Sequence, residues 1–223
     1  MLRKKKFDPS IYFVLDPSAC AGRGPLEVAR AAIRGGITML QYRDKKNDEL
    51  VRIDMAKQLQ AVTGGSRIAF VINDDVELAR MIRADGVHLG QGDMPPAKAR
   101  EILGPQAIIG LTAFHADHFA VLDPAVVDYA GTGPFYPTKT DKGKPVLGPE
   151  KFARLLKLSP VPVVGIGGIT PENMGDVIKA GAEGVAMMRS ISEAPDPEAA
   201  ARLFSVRTSV RGVETLMYRG SGG

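Results

Sequence analysis

The chain holds a single cysteine, Cys20. An internal disulfide is therefore excluded, and so is a metal cluster built from cysteines. There is no unbroken apolar run of the roughly 18 residues that a membrane-spanning helix needs. No apolar stretch near the N-terminus marks the chain for secretion, so a cytoplasmic enzyme is the expectation. A general excess of basic charge is missing as well. The formal net charge of +4 equals that of one run, Arg3-Lys4-Lys5-Lys6. Without it, 25 basic residues face 25 acidic ones. That run reads as a solvated chain end rather than a nucleic-acid arm, and no interleaving of aromatic and basic residues supports a nucleic-acid partner.

What is present is a regular alternation of short apolar runs and amphipathic segments. Ile11 to Leu15 is the first strand, closed by Asp16-Pro17. A helix opens at Pro25 and carries Leu26, Ala29, Ala32 and Ile33 on one face until Gly35-Gly36 stops it. The same alternation then places strands at Ile37 to Leu40, Ile68 to Ile72, Gly86 to Gly90, Ala107 to Leu111, Val126 to Ala130, Val161 to Ile166 and Gly184 to Met188. Helices fill the intervals, and the eighth spans about Pro197 to Phe204. Strands that are apolar throughout, rather than alternating, indicate a sheet covered on both faces. Eight such units predict the α/β class and a single (β/α)8 TIM barrel over residues 11–204. Residues 1–10 read as a polar lead-in and 205–223 as a disordered tail. An open doubly wound sheet would want a glycine-rich turn after the first strand, and Asp16-Pro17-Ser18-Ala19-Cys20 does not supply one.

In such barrels the chemistry sits where the strands end. Strand two ends in Gln41, Arg43 and Lys45, which alternation places on one side. An arginine fork and an ammonium at one mouth suit a multi-oxygen anion such as a diphosphate, although strand-end charges can equally pair with one another. Strands three and four end in Asn73, Asp74 and Asp93. Two carboxylates without a nearby histidine or cysteine suit a hard cation such as Mg2+. Helix capping by Asp74, Asp75 or Asp93 is the plainer alternative for each residue alone. Thr138 and Thr140 lie on a long loop after strand six. Strand seven gives Gly165, Gly167 and Gly168, and strand eight gives Met188, Arg189 and Ser190, where barrels of this kind cradle a phosphate. Two anion sites at one mouth fit the joining of two phosphorylated molecules. His88, inside strand four, reads as a satisfied core histidine. His115 and His118 read as surface residues, and Cys20 shows no activating neighbour.

These residues also resemble a known family, thiamine phosphate synthase. The resemblance spans essentially residues 11–204. It is carried by QYRDK at 41–45, INDD at 72–75, ADGVHLGQGD at 84–93, GPFYPTKT at 133–140, GIGGITPEN and GVAMMRSI. It implies a transferase of thiamine biosynthesis that joins a hydroxymethylpyrimidine diphosphate to a thiazole phosphate, releasing diphosphate and forming thiamine phosphate. By that similarity Gln41, Tyr42, Arg43, Asp44, Lys45 and Asn73 hold the pyrimidine diphosphate, with Arg43, Lys45 and Asn73 acting in catalysis. Asp74 and Asp93 carry Mg2+. Thr112 stands at the place of a serine that contacts the pyrimidine. Thr138, Lys139, Thr140, Gly168, Met188 and Arg189 hold the thiazole phosphate. Related barrels often pair, so a homo-oligomer is compatible with the resemblance.

Some positions depart from the family pattern. A lysine usually follows the Thr-x-Thr and contacts the diphosphate; here the position is Asp141, and Lys142 is the candidate substitute. Phe114 stands where a histidine is common. The rival readings are a thiazole tautomerase-like barrel and a non-catalytic barrel that binds a phosphorylated ligand. Retention of Arg43, Lys45, Asp74 and Asp93 argues against the first, whereas Asp141 favours the second.

Overall fold

A computed structural model of the protein describes residues 7–140, 143 and 145–206. The expectations for Asp141 and Lys142, for most of the lead-in and for nearly all of the tail fall outside those residues. Eight parallel strands close into a barrel in sequence order. They are β1 (Ile11–Leu15), β2 (Met39–Tyr42), β3 (Ala69–Asn73), β4 (Gly86–Leu89), β5 (Ile108–Thr112), β6 (Tyr129–Thr132), β7 (Val163–Ile166) and β8 (Gly184–Met187). β1 pairs with both β2 and β8, which completes the ring. No helix among the described residues is long and apolar enough to cross a membrane.

Helices α1 (Pro25–Arg34), α2 (Glu49–Thr63), α3 (Val76–Ile82), α4 (Pro96–Leu103), α5 (Ala116–Ala120), α6 (Gly148–Leu156) and α7 (Met174–Lys179) connect the strands. A four-residue helix, α8 (Arg189–Ser192), follows β8, and a last helix, α9, covers 197–206. Pro25 opens α1, where its missing N–H has no intrahelical partner to lose, and Val28, Ala29, Ala31 and Ala32 form the buried face. Two cores result. Phe13, Leu15, Leu40, Phe70 and Ile72 belong to the layer between strands and helices. Tyr12, Val14, Met39, Ala69, Val71, Ile108, Tyr129, Val164 and Ala186 fill the barrel itself. Burial on both faces is what makes the strands read as unbroken apolar runs. Each large side chain so buried contributes about 1.5–3 kcal/mol.

Two strands lie further along the chain than the apolar runs predict, because apolar residues are used in the preceding turns. β2 starts at Met39 rather than Ile37. Thr38 is spent on the turn, where its hydroxyl accepts from the Ile11 amide at 3.0 Å. β6 starts at Tyr129 rather than Val126, since the amides of Val126 and Val127 both donate to the Asp123 carbonyl, at 2.9 and 2.8 Å. The shift in β2 matters for the site. It makes Gln41 part of the strand, paired in register with Val14 and Val71 and facing the barrel axis.

Candidate active site

The strand ends surround a cleft of about 700 Å³. Gln41, Arg43 and Lys45 all line it, as alternation along an extended segment requires. Tyr42 and Asp44, the two residues between them, do not reach it. Tyr42 is buried in the outer core. Its hydroxyl donates to Asp44 at 2.9 Å, and Asp44 also accepts from the Lys46 and Asn47 amides at 3.0 and 3.1 Å. Burial raises the Asp44 carboxyl, but the bonds from Asn47, Lys46 and Tyr42 outweigh it and hold the group below its ordinary value. Asp44 thus shapes the turn after β2, and its side chain is spent on that turn.

Arg43 is anchored. Its guanidinium forms an ion pair with Asp16, at the end of β1, whose side chain is 8% exposed. Asp16 also accepts from the Ser18 amide and hydroxyl at 2.9 and 2.7 Å. In the sequence Asp16 stands out only as a strand terminator, yet an aspartate closing the first strand sits beside the arginine closing the second.

Asp74 and Asp93 come together. The Lys45 ammonium lies 2.8 Å from the Asp74 carboxylate, and the Asp93 carboxyl is within hydrogen-bonding reach of Asp74. Burial raises the Asp74 carboxyl above its ordinary value and Asp93 adds to that, while Lys45 acts in the opposite sense. The capping role falls elsewhere: Asp75 is the N-cap of α3 and accepts from the Leu78 amide at 2.9 Å. Asp74 itself adopts the left-handed conformation, φ 62°, which is uncommon for a non-glycine residue. Asp93 accepts from the Gly90 amide at 2.6 Å. Two abutting carboxylates, with no group of three or more His, Cys, Asp or Glu ligands among the described residues, make a donor set for an oxygen-seeking cation that takes its other ligands from water or substrate.

The opposite wall comes from the loops after β6, β7 and β8. Thr138, Lys139, Thr140, Gly168, Met188 and Arg189 all line it. Gly167 and Gly168 have φ of 99° and 64°. A Cβ at Gly167 would lie 2.6 Å from Pro134, and one at Gly168 would lie 2.5 Å from the Pro137 carbonyl. The glycine pair therefore lets the β6 loop lie directly on the β7 turn. The Phe135 and Tyr136 amides fasten it there by donating to Ile166 and Gly167 at 2.8 and 3.0 Å. Asn173 holds the other side of the turn, accepting from Thr170 at 2.8 Å and donating to Gly168 at 2.9 Å. Arg189 pairs with Glu193 and donates to Thr140 at 3.4 Å. The Ser190 hydroxyl is buried without a hydrogen-bond partner among the described residues.

Tyr12, His88 and Thr112 also line the cleft, at its floor. His88 is hydrogen-bonded on both ring nitrogens, to Tyr129 and to Thr112, so it is satisfied yet part of the site. His115 is exposed, as expected, and His118 is half-buried. Cys20 donates to the Asp16 carbonyl at 3.4 Å, and burial pushes its thiol up to about 11. It is inert by environment.

A family model described as thiamine monophosphate synthase matches residues 11–191. The chain is 44% identical over 201 residues to a thiamine-phosphate synthase of Laribacter hongkongensis, covering 89% of this chain and 95% of that one. It is 44% identical over 200 residues to that of Xanthobacter autotrophicus, covering 89% and 94%. Among solved structures, a thiamine phosphate pyrophosphorylase from Pyrococcus furiosus superposes with a TM-score of 0.81 at 29% identity, covering 90% of this chain and 96% of the other. The motifs, the barrel and the relatives agree, and the chain belongs to the thiamine monophosphate synthase family of transferases in thiamine biosynthesis.

Proposed function

We propose that the protein joins 4-amino-2-methyl-5-hydroxymethylpyrimidine diphosphate to 4-methyl-5-hydroxyethylthiazole phosphate, giving thiamine phosphate and diphosphate, with Mg2+ as its metal. The observation that carries this reading is the pairing of two different anion-binding walls across one cleft. Lys45, Arg43, Asn73, Asp74 and Asp93 form one wall, and the Gly168 turn with Met188, Arg189 and Ser190 forms the other.

In this reading the bond from the pyrimidine methylene carbon to the diphosphate oxygen breaks first, and its electron pair leaves with the diphosphate. The thiazole nitrogen then supplies the pair for the new C–N bond. No proton needs to move, so the work of the protein is electrostatic. Arg43, held by Asp16, and Lys45 with Asn73 face the charge that grows on the leaving group. Mg2+ held by Asp74 and Asp93 would neutralise part of the same charge. With Asp74 holding the metal, the Lys45 ammonium, now 2.8 Å from that carboxylate, would be free to face the diphosphate. On the far wall, the Ser190 hydroxyl and the glycine turn would receive the thiazole phosphate, which leaves the floor formed by Gln41, Thr112 and His88 to the pyrimidine ring. Cytoplasmic location accords with this chemistry.

The test is to incubate the purified protein with both substrates and MgCl2 and assay for thiamine phosphate. Its formation supports the synthase. Tight binding of either ligand without product would favour the non-catalytic reading that Asp141 suggests.

A further inference from the structure

The floor of the cleft is a chain of five polar side chains from five strands. Gln41 Nε2 donates to the Tyr12 hydroxyl. The Tyr12 and Tyr129 hydroxyls lie 2.8 Å apart. The Tyr129 hydroxyl lies 2.9 Å from His88 Nδ1, and His88 Nε2 lies 3.1 Å from Thr112 Oγ1. Two glycines keep the chain intact. A Cβ at Gly110 would fall 2.2 Å from the Tyr129 ring and 2.5 Å from His88 Nδ1, and one at Gly131 would fall 2.9 Å from His88 Cε1.

Tyr12 and Tyr129 are almost wholly buried. Burial pushes both phenols above their ordinary value, so both stay protonated. A phenol has one proton to give, and that gives the chain a direction. Tyr12 accepts from Gln41, so it donates to Tyr129. Tyr129 accepts from Tyr12, so it donates to His88 Nδ1. The imidazole then carries its proton on Nε2 and donates to Thr112 Oγ1. The two ends that face the cleft are thereby fixed in opposite senses. The Gln41 amide presents its carbonyl oxygen as an acceptor, and the Thr112 hydroxyl presents its proton as a donor.

We propose that Tyr12, Tyr129 and His88 are positioning residues that polarise Gln41 as acceptor and Thr112 as donor, and so select an aminopyrimidine over its oxo counterpart. An aminopyrimidine offers an exocyclic N–H to the Gln41 carbonyl and an unprotonated ring nitrogen to the Thr112 hydroxyl. The oxo form places a carbonyl oxygen where the amine was, and two acceptors then meet. Accepting it would require the Gln41 amide to flip, both phenols to turn and His88 to change tautomer together. A buried site built on such hydrogen bonds discriminates strongly, because the mismatched ligand leaves polar groups unpaired. The identity of the ring rests on the function proposed above; the direction of the chain does not.

Two measurements test this. Nitrogen-15 NMR of the ligand-free natural protein should show His88 protonated on Nε2 and not on Nδ1; with three histidines in the chain, a His88→Gln spectrum assigns the signal. A proton on Nδ1 overturns the proposal whatever the protein catalyses. Calorimetry with Mg2+ and each pyrimidine diphosphate should then give at least roughly 100-fold tighter binding of the amino than of the oxo form. Tyr129→Phe, which cuts the chain in the middle, should lower that ratio at least about tenfold, leaving thiazole phosphate binding within about twofold. An unchanged ratio in folded Tyr129→Phe overturns the selection, as does natural protein that binds both forms alike or neither. If the variant does not fold, the natural protein's tautomer and binding ratio still decide. Preferential binding of the amino form without thiamine phosphate formation would leave this inference standing and sink only the proposed reaction.

Discussion

Asp16 and Arg43 are ion-paired across the ends of the first two strands, with Asp16 almost wholly buried. Arg43 lines the mouth and is aimed there by a carboxylate on the neighbouring strand, the pairing of strand-end charges that the sequence leaves open. Charge-assisted hydrogen bonds of this kind are worth about 1.5–3 kcal/mol. Asp16→Ala is therefore expected to raise KM for the pyrimidine diphosphate at least roughly tenfold. KM for the thiazole phosphate should hardly change, because the far wall does not use Arg43. Equal changes in both constants would mean that Asp16 supports the fold at large.

Asp74 and Asp93 abut, and Asp74 carries a carboxyl raised above its ordinary value, burial being the largest cause. A carboxyl raised by folding binds its proton more tightly in the native state, so whatever it adds to stability is present at low pH and is lost as pH rises through the native value. At neutral pH, metal-free Asp74→Asn should accordingly melt no lower than the natural protein. Mg2+ at ten times its dissociation constant adds about 1.4 kcal/mol to a protein that binds it, or roughly 3–6 °C in Tm. Thermal melts with and without MgCl2 should show that rise in the natural protein and none in Asp74→Asn or Asp93→Ala. An equal rise in all three would remove the metal from these residues.

Gly168→Ala meets two obstacles, a left-handed φ of 64° and the Pro137 carbonyl 2.5 Å from the new Cβ. The backbone strain alone is about 1–3 kcal/mol. A lower Tm, together with weaker thiazole phosphate binding as the β6 loop lifts from the turn, is the expected outcome of melts and calorimetry. Unchanged values in both would show that the loop does not depend on this contact.

Arg100 on α4 binds Asp128 at 2.7 Å and also donates to the carbonyls of Gly104, Ala107 and Val126, at 3.1, 2.5 and 2.7 Å. Asp128 in turn accepts from the Ile109 amide at 2.8 Å. This cluster lies at the N-terminal ends of β5 and β6, away from the cleft. Removing one partner of such a largely buried pair costs about 3–5 kcal/mol. Arg100→Leu should lower Tm by roughly 6–20 °C while leaving kcat of the folded fraction unchanged. A fall in kcat without a fall in Tm would contradict this division between stability and chemistry.

The Cys20 thiol is raised to about 11 by burial and by the charge of Asp16, with Arg23 opposing. Its proton is held more tightly in the folded than in the unfolded chain, so its contribution to stability is complete below about pH 9 and fades as pH rises to 11. At pH 8 the thiolate fraction is about 100-fold below that of the unfolded chain, whose thiol titrates near 9.0. A maleimide or disulfide reagent should modify the native protein at least that much more slowly than the urea-unfolded one. Comparable rates would show that the β1 loop opens readily.

The barrel was legible because covered strands and capped helices leave plain marks: apolar runs, Pro25 opening α1, Gly35-Gly36 closing it. The mouth was legible where charge ends a strand, as at Lys45, Asp74 and Asp93. The floor was not. Tyr12 and Tyr129 sit inside runs that are apolar on both faces, so alternation could not tell the inward from the outward side. Their hydroxyls were the available clue, since a buried phenol needs a partner. The apolar run from Val126 to Ala130 leaves Gly131 outside β6, because Val126 and Val127 look like strand residues but serve a turn at Asp123. Tyr42 and Asp44 enter the site only through the family resemblance, and strand parity sends them the other way. The short helix α8 had no sequence signal of its own, as four residues carry no periodicity.

The central claim is that two phosphorylated substrates meet across this cleft and exchange diphosphate for a C–N bond. It is tested most directly by quantifying thiamine phosphate and diphosphate together, with each substrate and MgCl2 omitted in turn. The account predicts equal amounts of the two products, formed only when both substrates and the metal are present. Diphosphate released without thiamine phosphate, or no product from a protein that binds both substrates, would contradict it.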